Sequence, residues 1–256
     1  MIGELVRYRS FIKNLVLKDL KLKYRGSVLG FVWSLLYPVM MITVYTFAFR
    51  YVLRVEIEHY PYFLLIGLLP WNFFATSAHA STGVIIANAS LIKKVYFPRE
   101  TLPIASVLFS FAQLVLALAV FLPALVLVSG VPLHWTALLF VPLLGLHLLF
   151  TVGVAHLLSA VTTSFRDVAH FTEIGLLLLF WVTPIIYPIT MVPADLQVYV
   201  KLNPAAAFTI AYQSVLFWGT LPEPAVLATV LGWTLAMLLV GQAVFQAYST
   251  SFAEEV

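Results

Sequence analysis

The 256-residue chain contains no cysteine, which excludes disulfides, thiolate metal sites and cysteine nucleophiles. Charge is scarce as well: charged residues make up 10% of the chain against 62% hydrophobic ones, and the mean hydropathy is +1.00. A water-soluble domain of this size needs more polar surface, so the composition points to an integral membrane protein. No Gly-x-x-x-x-Gly-Lys-Ser/Thr phosphate loop is present, which removes ATP binding by that route, and no His-Glu-x-x-His zinc helix occurs. Carboxylates deep within apolar runs are missing too. Glu173 lies near one end of a run, and Glu56 and Glu58 lie beyond another, whereas carriers coupled to protons or sodium place such groups at mid-membrane. The six histidines are scattered. His147 and His156 share a run but sit nine positions apart, on opposite helix faces, which suits buried hydrogen bonds better than a shared metal. Neither an internal repeat nor a low-complexity tract is found, against a carrier built from inverted repeats in one chain. Residues 1–25 lack the apolar core of a cleavable signal, so the first span is expected to direct insertion.

What is present is a series of apolar runs of spanning length. Six spans are expected, at 28–52, 61–87, 102–129, 135–161, 171–189 and 225–247, in a single all-α membrane domain over 1–256. Residues 1–25 read as an interfacial helix: Phe11, Ile12, Leu15, Val16, Leu20 and Leu22 share one half of the wheel, opposite Lys13, Asn14, Lys18 and Lys21. Gly26, Ser27 and Gly30 then let the backbone turn into the first span. Seven of the fourteen Lys and Arg fall at 7–25, Lys93, Lys94 and Arg99 fall in 88–100, and Arg166 in 163–170. The positive-inside bias therefore places both termini and these two loops in the cytoplasm. Loop 88–100 mixes apolar and basic residues up to Pro98 and reads as a short surface helix. Segment 190–224 faces outward. Its apolar piece Ala205 to Trp218 is too short to cross and is bracketed by prolines, so it reads as a re-entrant hairpin tucked between helices.

Several strings then stand together: Asp19-Leu-Lys-Leu-Lys-Tyr-Arg-Gly-Ser-Val-Leu-Gly-Phe-Val-Trp33, Gly67-Leu-Leu-Pro-Trp-Asn-Phe-Phe74, Leu91-Ile-Lys-Lys-Val-Tyr-Phe-Pro-Arg-Glu100, Arg166-Asp167 and Asn203-Pro204. Over nearly the whole chain this pattern resembles the permease subunits of type-2 ABC exporters, above all those for O-antigen and other lipid-linked polysaccharides, with teichoic acid export permeases as close relatives. The resemblance implies a non-catalytic homodimer of six-span permeases in the bacterial inner membrane, bound to two cytoplasmic ATPase subunits. Those subunits would bind ATP and magnesium, leaving no cofactor or metal in this chain and no nucleic-acid partner. The cargo would be a lipid-diphosphate-linked glycan.

Matched to the family, Tyr24, Arg25, Gly26, Ser27, Leu29 and Gly30 form the loop that would admit the lipid diphosphate, with Arg25 pairing a phosphate oxygen. A snorkelling arginine and a glycine helix contact are the plain alternative. Leu91, Lys93, Lys94, Tyr96, Phe97 and Arg99, with Arg166 and Asp167, are expected to couple to the ATPase, Tyr96 and Phe97 filling a groove on it. Positive-inside charge and interfacial aromatics would also account for them. Aromatic residues make up 15% of the chain, and Tyr37, Trp71, Phe73, Phe74, Trp181, Tyr187, Tyr212 and Trp218 are candidate channel lining on which sugar faces could slide. The polar run Thr76, Ser77, His79, Ser81, Thr82 and Asn88 fits either channel lining or helix packing. Three rival functions remain open: a permease for a small drug or lipid, a membrane-embedded sugar transferase using Glu100, Asp167 and Glu173, and a passive scramblase.

Overall fold

In the computed structural model, residues 7–25, 32–130, 134–250 and 252 are described, and among them every regular element is helical. Helix α1 (Arg9–Tyr24) carries Lys21 and Lys23 in its last turn, where cations complement the helix dipole, and it ends where Arg25 turns extended. Helix α2 (Val32–Thr46) contains Pro38 and continues as a wider π-helical turn, Phe47–Val52. Two left-handed non-glycine residues, Arg54 and His59, then reverse the chain. Helix α3 (Tyr60–Ala87) starts with Pro61 in its first turn, where a missing N–H costs nothing. A short α4 (Ala89–Lys94) gives way to extended chain at Val95. Helix α5 (Thr101–Ser129) stops at Gly130, whose φ of 66° needs no Cβ. A 3₁₀ turn, Trp135–Leu139, leads into α6 (Phe140–Ser164), followed by α7 (Val168–Val182). Helices α8 (Ala194–Leu202) and α9 (Pro204–Gln213) precede a second π-helical turn, Ser214–Trp218, and α10 (Pro224–Ser249) closes the chain.

Among the described residues, five stretches are long and apolar enough to cross a membrane: Leu35–Val52, Tyr60–Ala87, Thr101–Ala124, Trp135–Ser164 and Pro224–Ser249. Where a span over 171–189 was expected, α7 is only 15 residues, about 22 Å, because Pro184 forces Thr183 out of the helical region. Loop 88–100 holds a short helix of six residues, after which the chain from Val95 to Pro98 has no regular structure.

Helix α3 is the spine. It is apolar all round, so it buries nearly every side chain from Tyr60 to Phe74 in a core shared with α5, α6, α9 and the start of α7's exit. The most extensive pairing is α6 against α10. There a Cβ on Gly153 would meet the backbone of Met237 and Leu238, and one on Gly241 would meet the Gly153 carbonyl, so two backbones touch. A second core lies at the end rich in basic residues, where Ile85, Ile92, Phe97, Leu102, Phe245 and Phe252 pack with Phe11 and Leu15 of α1.

Broken helices leave carbonyls that lipid cannot satisfy, and here side chains from neighbouring elements take them up. Tyr60 donates to Ile186 O at 2.7 Å, Tyr62 to Leu216 O at 3.1 Å, Thr136 to Val215 O at 2.9 Å and Gln213 to Pro184 O at 2.8 Å. Asn203 caps α9 by accepting from Ala205 N–H, and every residue of α9 after Pro204 is buried. Replacing Tyr60 with Phe keeps the ring and orphans a buried carbonyl, a loss of about 1–3 kcal/mol. Thermal unfolding in detergent is the check, with a lowered midpoint expected.

Candidate functional site

A cavity of about 790 Å³ opens between the last turn of α1 and helices α2, α3, α5 and α7. Its walls are aromatic: Tyr24, Trp33 and Tyr37 on one side, Trp71 and Phe73 on the other. Polar side chains are interspersed among them. Lys23, at the mouth, donates through Nζ to Gln113 Oε1, and the rings of Phe109 and Tyr24 lie 5.8 and 6.0 Å from that ammonium. Partial burial holds the Lys23 pKa below its ordinary value. No carboxylate pairs with it among the described residues, although Glu173 lines the same cavity. Asn72 and Gln113 each bring a buried side-chain N–H that has no acceptor, and both residues line the cavity. Thr76 and His79 add further donors from α3. Such a chamber, with aromatic faces, one ammonium and unpaired amide donors, suits a ligand with many acceptor oxygens, such as a sugar or a phosphate.

From the cavity an aromatic track runs along α7. Trp71 meets Phe180 at 5.6 Å, Tyr45 meets Phe180 at 6.0 Å, and Phe180 meets Trp181 edge-on at 5.7 Å. Tyr187 then donates to the Trp181 carbonyl at 2.9 Å. Tyr37, Trp71 and Phe73 thus lie in the cavity and Trp181 and Tyr187 on the track, whereas Trp218 is exposed elsewhere, edge-on to Phe217. Trp71 and Phe73 reach the cavity from the buried core, whereas Phe74 and Tyr212 lie in that core without lining the cavity. Phe74 stacks on Phe150 at 5.5 Å, and Tyr212 is fully buried with His147 Nδ1 3.1 Å from its hydroxyl, both drawn inward by His147, which stacks on Phe208 at 4.4 Å. That contact gives His147 the buried hydrogen bond expected of it. His156, packed edge-on to Phe245, has an Nε2 with no partner. Ser81, Thr82 and Asn88 bond back to carbonyls of their own helix.

Of the residues expected to admit the lipid diphosphate, Tyr24 lines the cavity and the neighbouring Arg25 is exposed, while Gly26, Ser27, Leu29 and Gly30 lie outside the described residues. Among the coupling residues, Lys93, Lys94, Arg166 and Asp167 are exposed and Leu91 packs partly into the second core. Tyr96 is 96% exposed and Phe97 only 6%. Phe97 therefore fills no partner's groove: its ring lies 5.1 Å from Phe11. Arg99 also turns inward and donates to the Ser249 carbonyl at the end of α10. Lys23, Asn72, Gln113, Tyr45 and Phe180 escaped the sequence reading. Asn72 and Gln113 did carry a signal, as lone amides within apolar runs.

Long apolar helices around a polar-lined chamber, with irregular segments stitched in between them, define a multi-pass membrane protein of the transport kind. The ABC-2 type transporter profile matches residues 11–217, and the chain belongs to that family of inner-membrane transport subunits. It is 31% identical over 258 residues to the O-antigen export system permease protein RfbA of Myxococcus xanthus, covering 100% of this chain and 99% of that one. It is 34% identical over 240 residues to an RfbA of Klebsiella pneumoniae, covering 93% and 91%. The polysialic acid transport protein KpsM of Escherichia coli is 23% identical over 241 residues, covering 92% of each chain.

Proposed function

We propose that this chain is the membrane-spanning, non-catalytic subunit of an ATP-driven exporter that moves a lipid-diphosphate-linked polysaccharide outward. The observation that carries this reading is the cavity, where aromatic walls suited to sugar faces meet Lys23 and the unpaired amides of Asn72 and Gln113. The names of the relatives, O-antigen export permeases and a polysialic acid transport protein, support a polysaccharide cargo.

Two copies would pair across the exposed apolar faces of α2 and α7, where Trp33, Tyr37, Met40, Phe171, Ile174 and Leu178 stand out, so that the cavity and aromatic track face a shared channel. Six crossings are proposed, with α7 and the chain to 189 making the fifth. Both termini would be cytoplasmic, and α8 and α9 would dip into the outer leaflet as a re-entrant pair. Arg25, exposed beside the mouth, would meet the diphosphate first and Lys23 receive it next.

Two ATPase subunits, binding ATP and magnesium themselves, would dock on Lys93, Lys94, Tyr96, Arg166 and Asp167, all exposed at the basic end. Phe97 and Arg99 would pass their movement inward, to α1 through Phe11 and to α10 through Ser249. Tyr96→Ala should lower co-purification of the ATPase without changing thermal stability. Phe97→Ala should instead destabilise by about 3–5 kcal/mol, as loss of a buried ring does. Unchanged ATPase recovery with Tyr96→Ala would contradict the docking assignment.

A further inference from the structure

A second, separate recess of about 360 Å³ lies between α1 and the first turns of α5, lined by Arg9, Ile12, Lys13, Val16, Leu17 and Leu108. It arises from the way α1 runs. Phe11 is held against Phe97, just ahead of α5, and Lys23 against Phe109 and Gln113 within it. The two helices therefore run side by side in the same direction for about 18 Å, touching at both ends of that length and leaving a slot between.

The slot is polarised. Arg9 and Lys13, one helical turn apart, line the half of it nearer the start of α1, and neither takes part in an ion pair among the described residues. Ile12 lies between them, and past Lys13 the walls are aliphatic, from Val16 and Leu17 on α1 to Leu108 on α5. Water has no partners on such walls, and a glycan would find neither aromatic faces nor amides. Two cations above an apolar slot, at the end of the molecule where basic residues collect, match one amphiphile: a phosphate-bearing head over a hydrocarbon chain.

We propose that the slot binds one anionic phospholipid of the adjacent leaflet, its phosphate between Arg9 and Lys13 and an acyl chain along Ile12, Val16 and Leu108. Bound there, the lipid wedges α1 against α5 two turns before Lys23 and so sets the position of the cavity mouth. The inference needs the membrane placement of the chain but not its polysaccharide cargo.

Native mass spectrometry of the full-length protein, titrated with phosphatidylglycerol or phosphatidylcholine, tests it. One phosphatidylglycerol should be retained with about tenfold or greater preference, weakening as salt rises. The preference should vanish in the Arg9→Gln, Lys13→Gln double variant, whose changed side chains are exposed and outside both cores. Leu108→Trp, which fills the slot and leaves both cations, should release the lipid. Equal retention of both lipids by the wild-type protein would overturn the proposal, as would retention by Leu108→Trp or recovery of a polyprenyl diphosphate in the slot. Loss of glycan export with lipid selectivity intact would count against the exporter reading alone.

Discussion

Alanine in place of Gly241 should separate α6 from α10 and sharply destabilise the protein. The new methyl group would be driven into the Gly153 carbonyl, which is backbone and cannot rotate away. In lipid there is little hydrophobic drive to hold two helices together, so close backbone contact is itself the attraction, and a single methyl removes it. Overpacking of this kind costs about 1–3 kcal/mol, and a leucine there costs more. Gly232, on the same helix, is the internal control. A Cβ at that position meets nothing within 4 Å, so Gly232→Ala should be neutral or slightly stabilising. Thermal unfolding of the two variants side by side decides the matter. Equal midpoints would show that the α6–α10 contact is not the closest crossing in the bundle.

The second large effect is expected at Lys23. Lys23→Met keeps the length of the side chain and removes the only ammonium that lines the cavity among the described residues. If the cargo carries a phosphate, this should lower export by about tenfold or more, since a charge-assisted bond in a partly closed site exceeds 1.4 kcal/mol. Folding should survive, because Lys23 is exposed on one side and lies outside both cores. Arginine separates charge from shape. Partial burial holds the lysine pKa below 10.5, so the cation is lost at lower pH than in a free lysine, and export by the wild type should fall as pH rises through that lowered value. Lys23→Arg keeps its charge well above that range and should move the decline to higher pH. An alkaline limb that stays in place in Lys23→Arg would remove Lys23 from cargo recognition.

The long helices α3, α5 and α10 were legible in the sequence because each is an apolar run of spanning length. The spans expected at 61–87, 102–129 and 225–247 agree with α3, α5 and α10 to within about two residues at either end. What faces what was not legible. Lipid and protein interior are equally apolar, so periodicity could not reveal that Phe74 and Tyr212 turn inward while Tyr37 and Trp181 turn out. Tyr96 and Phe97 read as a pair, yet extended chain from Val95 sends neighbours to opposite sides, one to solvent and one onto Phe11. Lys23 looked like one of several interfacial lysines. Only the alignment of α1 along α5 sets it apart, by bringing it to Gln113, ninety positions away.

The most direct experiment places this chain, with whatever ATPase subunit is recovered with it, in sealed proteoliposomes loaded on one leaflet with a lipid-diphosphate-linked glycan. A lectin on the other side then reads the glycan's arrival. Arrival only with hydrolysable ATP, and little or none with Lys23→Met, is the result expected of a polysaccharide exporter working through the cavity. Glycan that crosses without ATP, or that never crosses although the ATPase is bound and active, would contradict it.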